Sequence, residues 1–232
     1  MDKLQLDQHI SKQFNEDLEA LKSRMLAMGG VVEKQLGESI RALEGADSAL
    51  AESVLVIEDD VDEMERDIDE QCATLIARRQ PAATDLRMVL VVSKCVRDLE
   101  RIGDEAQKIA KMAIKLSGDE APRGYIEVRH IAEDAQSMLR EALNAFMRYD
   151  ANAAIETMAK DSQLDRDYSS ALRELITYMM EDPRNISRAL NVAWALRSLE
   201  RIGDHAKNIC EHVVYLVKGT DIRHGHLKDL NQ

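Results

Sequence analysis

The stretch Leu99-Glu100-Arg101-Ile102-Gly103-Asp104 occurs a second time in the chain, as Leu199-Glu200-Arg201-Ile202-Gly203-Asp204. Around it, residues 97–106 and 197–206 are identical at eight of ten positions. At the slightly larger offset of 103 residues, the segment 58–62 (EDDVD) matches the segment 161–165 (DSQLD). Matches at nearly constant offset are the signature of a repeated structural unit. We therefore interpret the 232-residue chain as two copies of one unit.

The repeated unit is predicted to consist of three long helices. Glycine (10 residues), proline (3) and aromatic residues (3%) are scarce, and the remaining composition favours helix. Apolar residues recur at helical spacing in six stretches, at about residues 7–46, 48–79, 82–116, 124–149, 151–181 and 184–218. Short connections make successive helices antiparallel neighbours. The predicted fold is all-α, with six long helices in two tandem, internally repeated antiparallel three-helix bundles, residues 1–118 and 119–232.

Charge and apolar patterning argue against several classes of function. A net charge of −12 without a concentrated Lys/Arg surface argues against nucleic acid as a partner. No apolar run approaches the roughly 20 residues that a membrane-spanning helix needs, so we expect no direct membrane insertion. Residues 1–5 show no basic region followed by an apolar core, and Cys72, Cys95 and Cys210 fit no zinc or disulfide spacing. We expect a cytoplasmic protein with buried free thiols.

Two rows of carboxylates border the seam between the second and third helices of each unit. On a helical wheel, the core stripe of the second helix comprises Val54, Val61, Ile68 and Leu75, and that of the third comprises Val92, Leu99, Ile102, Ala106, Ile109 and Ala113. Acidic residues flank both stripes, so the rows face each other if the helices pack in chain order. The candidate metal ligands are Glu58, Asp62, Glu100 and Asp104 in the first unit and Asp161, Asp165, Glu200 and Asp204 in the second.

Two interpretations of these carboxylates stay open. They form either the solvated face of a structural helical scaffold, with Arg97 and Arg101 as ion-pair partners, or a cation site. Two carboxylates about 4 Å apart repel by about 4 kcal/mol at an effective dielectric near 20, which a bound cation would relieve. Oxygen ligands suit Mg²⁺, Mn²⁺, Ca²⁺ or iron and disfavour zinc. Gly103 and Gly203 lie mid-helix, where glycine costs about 1 kcal/mol, and indicate either close helix packing or room for a ligand.

No catalytic motif accompanies the carboxylates. The sequence contains no P-loop, no Gly-x-Ser-x-Gly, no His-Glu-x-x-His and no ferritin-type Glu-x-x-His signature, so we expect no enzyme. His205 follows the second motif and is interpreted as an exposed surface histidine rather than a ligand. Trp194 is interpreted as a core or interface anchor. The methionines, among them Met25, Met28, Met138, Met179 and Met180, are predicted to fill gaps in the core.

Over almost its whole length the sequence resembles the PhoU family, the regulators of the bacterial phosphate-specific transport system. The residues that carry the resemblance are the two Glu-Arg-Ile-Gly-Asp elements and the segments 9–14 (HISKQF), 28–30 (MGG), 77–81 (ARRQP), 177–182 (TYMMED) and 215–219 (YLVKG). The resemblance implies two related three-helix bundles and a homodimer. It also implies metal clusters, of Fe, Mn or Mg, on the Glu/Asp-x-x-x-Asp pairs. Glu58 stands where the family often has aspartate.

The resemblance further implies a function that no single residue reveals. Family members act between the cytoplasmic ATPase of a phosphate ABC importer and a membrane sensor histidine kinase, and they restrain phosphate uptake and the phosphate-starvation response. The chain is therefore predicted to be a negative regulator without catalytic turnover. The alternatives are a metal-dependent enzyme acting on phosphate compounds, for which carboxylate-bound metals would be the chemical centre, and a purely structural scaffold.

Overall fold

The computed structural model describes residues 12–81, 83–117 and 125–222. Within these ranges it contains α1 (Lys12–Gly45), α2 (Ser48–Arg79), α3 (Ala83–Leu116), α4 (Tyr125–Arg148), α5 (Ala151–Glu181) and α6 (Ile186–Lys218), with a 3-10 turn at Pro183–Asn185 before α6. The described ranges contain no strand. The all-α class and the six helices are therefore confirmed. The predicted start of the first helix, residues 7–11, and the predicted boundary at 118/119 lie outside the described residues.

Equivalent residues set the beginning of the middle helix in each half of the chain. The Asp47 carboxylate caps α2 by accepting a hydrogen bond from the backbone N–H of Leu50. Asp150 caps α5 in the same way and accepts from the N–H groups of Asn152 and Ala153. A side-chain oxygen at this position satisfies backbone donors that the first helical turn leaves free. Both copies of the repeat therefore begin their second helix by the same device.

The helices form two three-helix bundles that share one hydrophobic core. Helices α1, α2 and α3 pack together in the first half, and α4, α5 and α6 pack together in the second. The halves meet along α3 and α6, and less extensively along α1 and α4. Buried side chains of all six helices belong to a single cluster. The two third helices, which carry the repeated motif, therefore lie at the centre of the molecule.

The predicted core stripes of α2 and α3 are buried throughout, which confirms the helical-wheel assignment. Met25, Met28 and Met138 are buried as expected, and so are the three free cysteines. The core interpretation is wrong for Met180, which is 80% exposed, and for Trp194, which is 63% exposed. Helix α4 has 24 residues and the antiparallel α5 has 31. The last turns of α5 and the start of α6 therefore extend past Tyr125, the first residue of α4. Among the described residues, Met180 and Trp194 face outwards near this tip instead of towards the core.

Across the described part of the chain, no helix combines the length and the apolar composition that crossing a bilayer requires.

Candidate functional site

The first acidic seam lies between α2 and α3. Its members are Glu58, Asp62, Glu65, Glu100 and Asp104. Burial raises the pKa of Glu58, and the negative charges of Asp104 and Asp62 add to the increase. Burial and the neighbouring carboxylates, Glu65 foremost, raise the pKa of Glu100 to about 7. The two acidic rows therefore face each other closely enough to hinder each other's ionisation, as the wheel predicts.

A glutamine on α1 closes the buried side of this seam. Gln35 is fully buried, and its Nε2 atom donates a hydrogen bond of 2.6 Å to Oε2 of Glu58, itself only 6% exposed. Oε1 of Gln35 and Oε1 of Glu58 have no hydrogen-bond partner among the described residues. A Cβ atom at Gly103 would lie 3.1 Å from Oε1 of Gln35 and 3.3 Å from Oε2 of Glu58. The glycine therefore keeps a small space open beside buried oxygen atoms.

The second acidic seam, between α5 and α6, contains the same arrangement of carboxylates. Its members are Asp161, Asp165, Glu200 and Asp204. Burial raises the pKa of Asp204, and Asp161 and Asp165 raise it further; burial likewise raises the pKa of Glu200. The two rows therefore face each other in this half as well.

Basic side chains lie within the second seam. Nζ of Lys207 lies 2.5 Å from Oδ2 of Asp161, and Nη1 of Arg197 lies 2.5 Å from Oε1 of Glu200. A Cβ atom at Gly203 would lie 2.5 Å from Cδ2 of Leu164. This glycine therefore permits close packing of α6 against an apolar side chain, whereas Gly103 faces polar atoms. Close packing fits both mid-helix glycines, since a Cβ atom at Gly103 would also lie within 3.4 Å of its neighbours. Two of those neighbours are oxygen atoms, so the ligand explanation stays open at Gly103.

The predicted ligands are not arranged as a preformed three-ligand site. No three of them bring one ligand atom each to within 4.8 Å of one another in the described residues. One group that satisfies this distance is His130 and Asp134 on α4 with Asp167 on α5. The His130 side chain is 69% exposed, so this is a surface cluster of a common kind. The metal-ligand role of the two seams stays a prediction.

A buried polar layer joins α3 to α6. Nδ1 of His205 lies 2.9 Å from Oδ1 of Asp98, Nε2 of His212 lies 3.2 Å from Oδ2, and Asn208 donates to Oδ1. Nearby, Oε1 of Glu105 pairs with Arg201 at 2.5 Å. The interpretation of His205 as an exposed histidine is therefore wrong. His205 is only 9% exposed, because its side chain points from α6 towards the other half of the molecule.

An apolar patch lies at the tip formed by the end of α5 and the start of α6. Its exposed members are Ile176, Met180, Ile186, Leu190 and Trp194. The positions on α6 are four residues apart and therefore lie on one helical face. At the offset of 100 residues, Leu190 corresponds to Leu90 and Trp194 corresponds to Lys94. On this face, α6 is therefore more apolar than the equivalent part of α3, because tryptophan stands where the first half has lysine.

The sequence reasoning missed Gln35 and Asp98 as members of polar clusters. Gln35 lies on α1 three residues after the buried Val32 and four before the buried Ser39. A polar residue within an apolar stripe was the available signal. Asp98 precedes the motif in the first copy, and the second copy has Ser198 at that position. This difference between nearly identical segments was the available signal for a distinct role of Asp98.

Comparison with known proteins shows similarity over nearly the whole chain. The family model described as "PhoU domain" matches residues 25–113 and 128–213, one segment in each half. The phosphate-specific transport system accessory protein PhoU homolog of Pseudomonas aeruginosa is 60% identical over 94% of this chain and 91% of its own length. The accessory protein PhoU of Escherichia coli (strain K12) is 43% identical over 97% of this chain and 93% of its own length.

Solved structures agree with this similarity. The crystal structure of PhoU from Pseudomonas aeruginosa superimposes with a TM-score of 0.87 at 59% identity and covers 89% of this chain and 100% of that chain. The phosphate transport system regulatory protein PhoU from Streptococcus pneumoniae gives a TM-score of 0.84 at 30% identity, over 90% of this chain and 99% of that chain.

Proposed function

Because the chain belongs to the PhoU family, we propose that it couples the ATPase of a phosphate ABC importer to a membrane sensor histidine kinase and silences the phosphate-starvation response when phosphate is plentiful. An accessory, regulatory role in phosphate transport follows from the family itself. The finer proposal rests on one observation above all: the similarity to named accessory proteins extends over at least nine-tenths of this chain and of theirs. The protein would act on the cytoplasmic side of the membrane, as a homodimer.

A reporter experiment tests the regulatory role. The gene is deleted in its own host, and alkaline phosphatase activity is measured in phosphate-rich medium. Expression should rise on deletion and return to the repressed level when the full-length chain is supplied from a plasmid. Unchanged phosphatase activity after deletion would overturn the proposal.

A pull-down tests the partners. Tagged full-length chain is recovered from phosphate-fed cells, and the retained proteins are identified by mass spectrometry against a tag-only control. The importer ATPase and the histidine kinase should both be enriched. Recovery of the ATPase alone would support a role in transport but contradict coupling to the kinase.

The acidic seams add a second part to the proposal: they bind divalent cations of the hard, oxygen-preferring kind, with Mg, Mn or Fe as candidates. The support is the chemistry of the donor set. In each half, facing carboxylates raise one another's pKa, and a bound cation would remove this repulsion. The candidate ligands are the eight predicted carboxylates, four in each seam.

The metal-dependent enzyme is the competing function. Glu100 favours it, because a carboxyl group with a pKa of about 7 can exchange protons near neutral pH. Metal-loaded protein would then hydrolyse a phosphate ester, and the combined changes Glu100→Gln and Asp104→Asn would abolish turnover. We propose instead a binding role without turnover, in line with the names of the relatives. Hydrolysis lost in that double variant would overturn this choice.

A further inference from the structure

We infer that the two acidic seams are not equivalent: the first binds a divalent cation with the amide oxygen of Gln35 as an additional ligand, whereas Lys207 takes the place of a cation in the second. The inference rests on the proposed cation binding and concerns which half performs it. Three differences between the two copies of the repeat support it, and each compares residues at equivalent positions of the two halves.

The first difference is a buried amide oxygen. Oε1 of Gln35 lacks a hydrogen-bond partner among the described residues although the side chain is fully buried, and at the offset of 103 residues its counterpart is Met138, which has no oxygen atom in its side chain. Carboxylate oxygens without a partner occur in both seams, Oε1 of Glu58 in the first and Oδ1 of Asp161 and Oε2 of Glu200 in the second, so the amide oxygen is what distinguishes the first seam. Such atoms are rare, because a buried acceptor without a partner costs free energy. In the structure the Nε2 end of the amide donates to Oε2 of Glu58, which is the orientation that an ionised carboxylate requires. The carbonyl oxygen of Gln35 therefore points away from Glu58 and is available as a ligand.

The second difference lies in the mid-helix glycines. Gly103 leaves open the position from which a Cβ atom would contact oxygen atoms of Gln35 and Glu58. Gly203 leaves open a position that the side chain of Leu164 already approaches to 2.5 Å. The position that Gly103 leaves free is therefore lined by two oxygen atoms and by Val61, whereas the position that Gly203 leaves free is lined by an apolar side chain alone.

The third difference is the supply of positive charge. Lys207 and Arg197 contact two of the four carboxylates of the second seam directly. Position 107, the counterpart of Lys207, is glutamine, and it accepts a hydrogen bond from Lys111. Within the described residues, Lys108 approaches the first seam at 3.9 Å from Asp104, and it also pairs with Glu105 at 3.0 Å. The positive charges of Arg97, Arg101 and Lys111 also act on the first seam, but within the described residues no ion pair joins a basic side chain to Glu58, the counterpart of Asp161.

These differences define the chemistry of the ligand. Carboxylate oxygens and one neutral carbonyl oxygen form a hard donor set, which suits Mg²⁺, Mn²⁺ or Ca²⁺. In the second seam the ammonium group of Lys207 is bonded to Asp161, the counterpart of Glu58. A divalent cation entering there would have to displace that ammonium group and would be repelled by it.

The test is a titration of the metal-free, full-length chain with MnCl2, in which bound and free Mn²⁺ are counted by equilibrium dialysis. We expect wild-type protein to bind Mn²⁺ in a manner that Asp104→Asn abolishes and Asp204→Asn leaves intact. Gln35→Leu should weaken binding by about tenfold or more, in the range typical of groups that support a metal site. Binding that Asp204→Asn abolishes and Asp104→Asn spares would overturn the inference.

A second variant does not depend on the stability of the buried Gln35 site. Lys207→Gln gives the second seam the residue found at position 107 and should add a Mn²⁺-binding event that wild-type protein lacks. Lys34→Gln, a change at a lysine of α1 that is 69% exposed, is the matched control and should bind as wild type does. An unchanged Mn²⁺ count in Lys207→Gln would contradict the blocking role of Lys207. No Mn²⁺, Mg²⁺ or Ca²⁺ bound by wild type or by Lys207→Gln would instead overturn cation binding as such, while the regulatory role would be decided by the phosphatase reporter.

Discussion

Nδ1 of His205 lies 2.9 Å from Oδ1 of Asp98, across the contact between α6 of the second half and α3 of the first. Burial alone would raise the pKa of Asp98, but hydrogen bonds from His205, His212 and Asn208 outweigh it and hold the pKa at about 2. The carboxylate is therefore ionised at neutral pH and accepts from all three groups. One acidic side chain thus joins the two bundles through three polar contacts, beside the Glu105–Arg201 ion pair of the same layer.

Replacing this carboxylate should destabilise the whole protein. Asp98→Ala leaves two buried imidazoles and an amide without their acceptor, and we expect it to lower the free energy of unfolding by about 3 kcal/mol. The measurement is urea denaturation followed by circular dichroism. Asp60→Ala, at an exposed position of α2, is the control and should change stability by less than about 0.5 kcal/mol. A loss below about 1 kcal/mol for Asp98→Ala would show that the layer contributes little.

The first acidic seam should make stability depend on pH near neutrality. The pKa of Glu100 is about 7 in the folded chain, against an ordinary value of 4.5. Because the folded state holds this proton more tightly, the group's contribution to stability is complete below pH 4.5 and is lost as the pH rises through 7. In EDTA, the free energy of unfolding should therefore fall over this range, by about 1 kcal/mol after allowance for solvent screening.

The variant Glu100→Gln isolates this effect, because a neutral amide cannot ionise. Thermal unfolding in EDTA should show a smaller decrease in Tm between pH 5 and pH 8 than wild type shows. Glu63→Gln, at an exposed position of α2 outside the first acidic seam, should retain the wild-type pH dependence. Equal pH dependence in all three proteins would contradict the raised pKa.

Two glycine-to-alanine changes should affect stability in opposite directions. A Cβ atom at Gly30 would meet no atom within 4 Å, so Gly30→Ala should raise the free energy of unfolding by about 0.5–1 kcal/mol through helix propensity. A Cβ atom at Gly203 would lie 2.5 Å from the buried Leu164 side chain. Overpacking of this kind costs about 1–3 kcal/mol, which exceeds the gain in propensity. Calorimetry on the two variants would contradict the packing argument if both were stabilised.

The fluorescence of Trp194 should report the apolar patch, because the chain has one tryptophan. In the isolated protein at high dilution we expect the emission of a water-exposed indole and strong quenching by iodide. Binding of a partner at the tip should shift the emission to shorter wavelength and reduce quenching. Blue-shifted, poorly quenched emission from dilute protein would mean that the indole is covered in the isolated chain.

The fold could be predicted from the sequence because its determinants are local or repeated. The core stripe from Val92 to Ala113 follows from helical spacing, and the duplication of the Leu99–Asp104 motif indicates two similar bundles. The facing of Glu100 and Asp62 follows from the same reasoning, since neighbouring helices in one bundle are antiparallel. These features need no knowledge of how one bundle contacts the other.

The remaining features depend on contacts between distant parts of the chain. His205 and Asp98 are 107 residues apart, and a wheel drawn for α6 alone cannot show that another bundle covers its outer face. Gln35 reaches the first acidic seam from α1, 23 residues before Glu58, on a helix without an acidic row. Trp194 continues the apolar pattern of α6, so helical spacing marks it as core, but the residue faces outwards in the structure and is 63% exposed.

The pairing of Asp98 with His205 also bears on how the two copies of the repeat fit together. The position occupied by His205 in the second copy is Glu105 in the first, and that of Asp98 is Ser198. In a chain made of two first copies, the aspartate would face a glutamate in a buried interface; in a chain made of two second copies, the imidazoles would face a serine. The two copies are therefore complementary in this layer, since the first supplies the carboxylate and the second supplies both imidazoles.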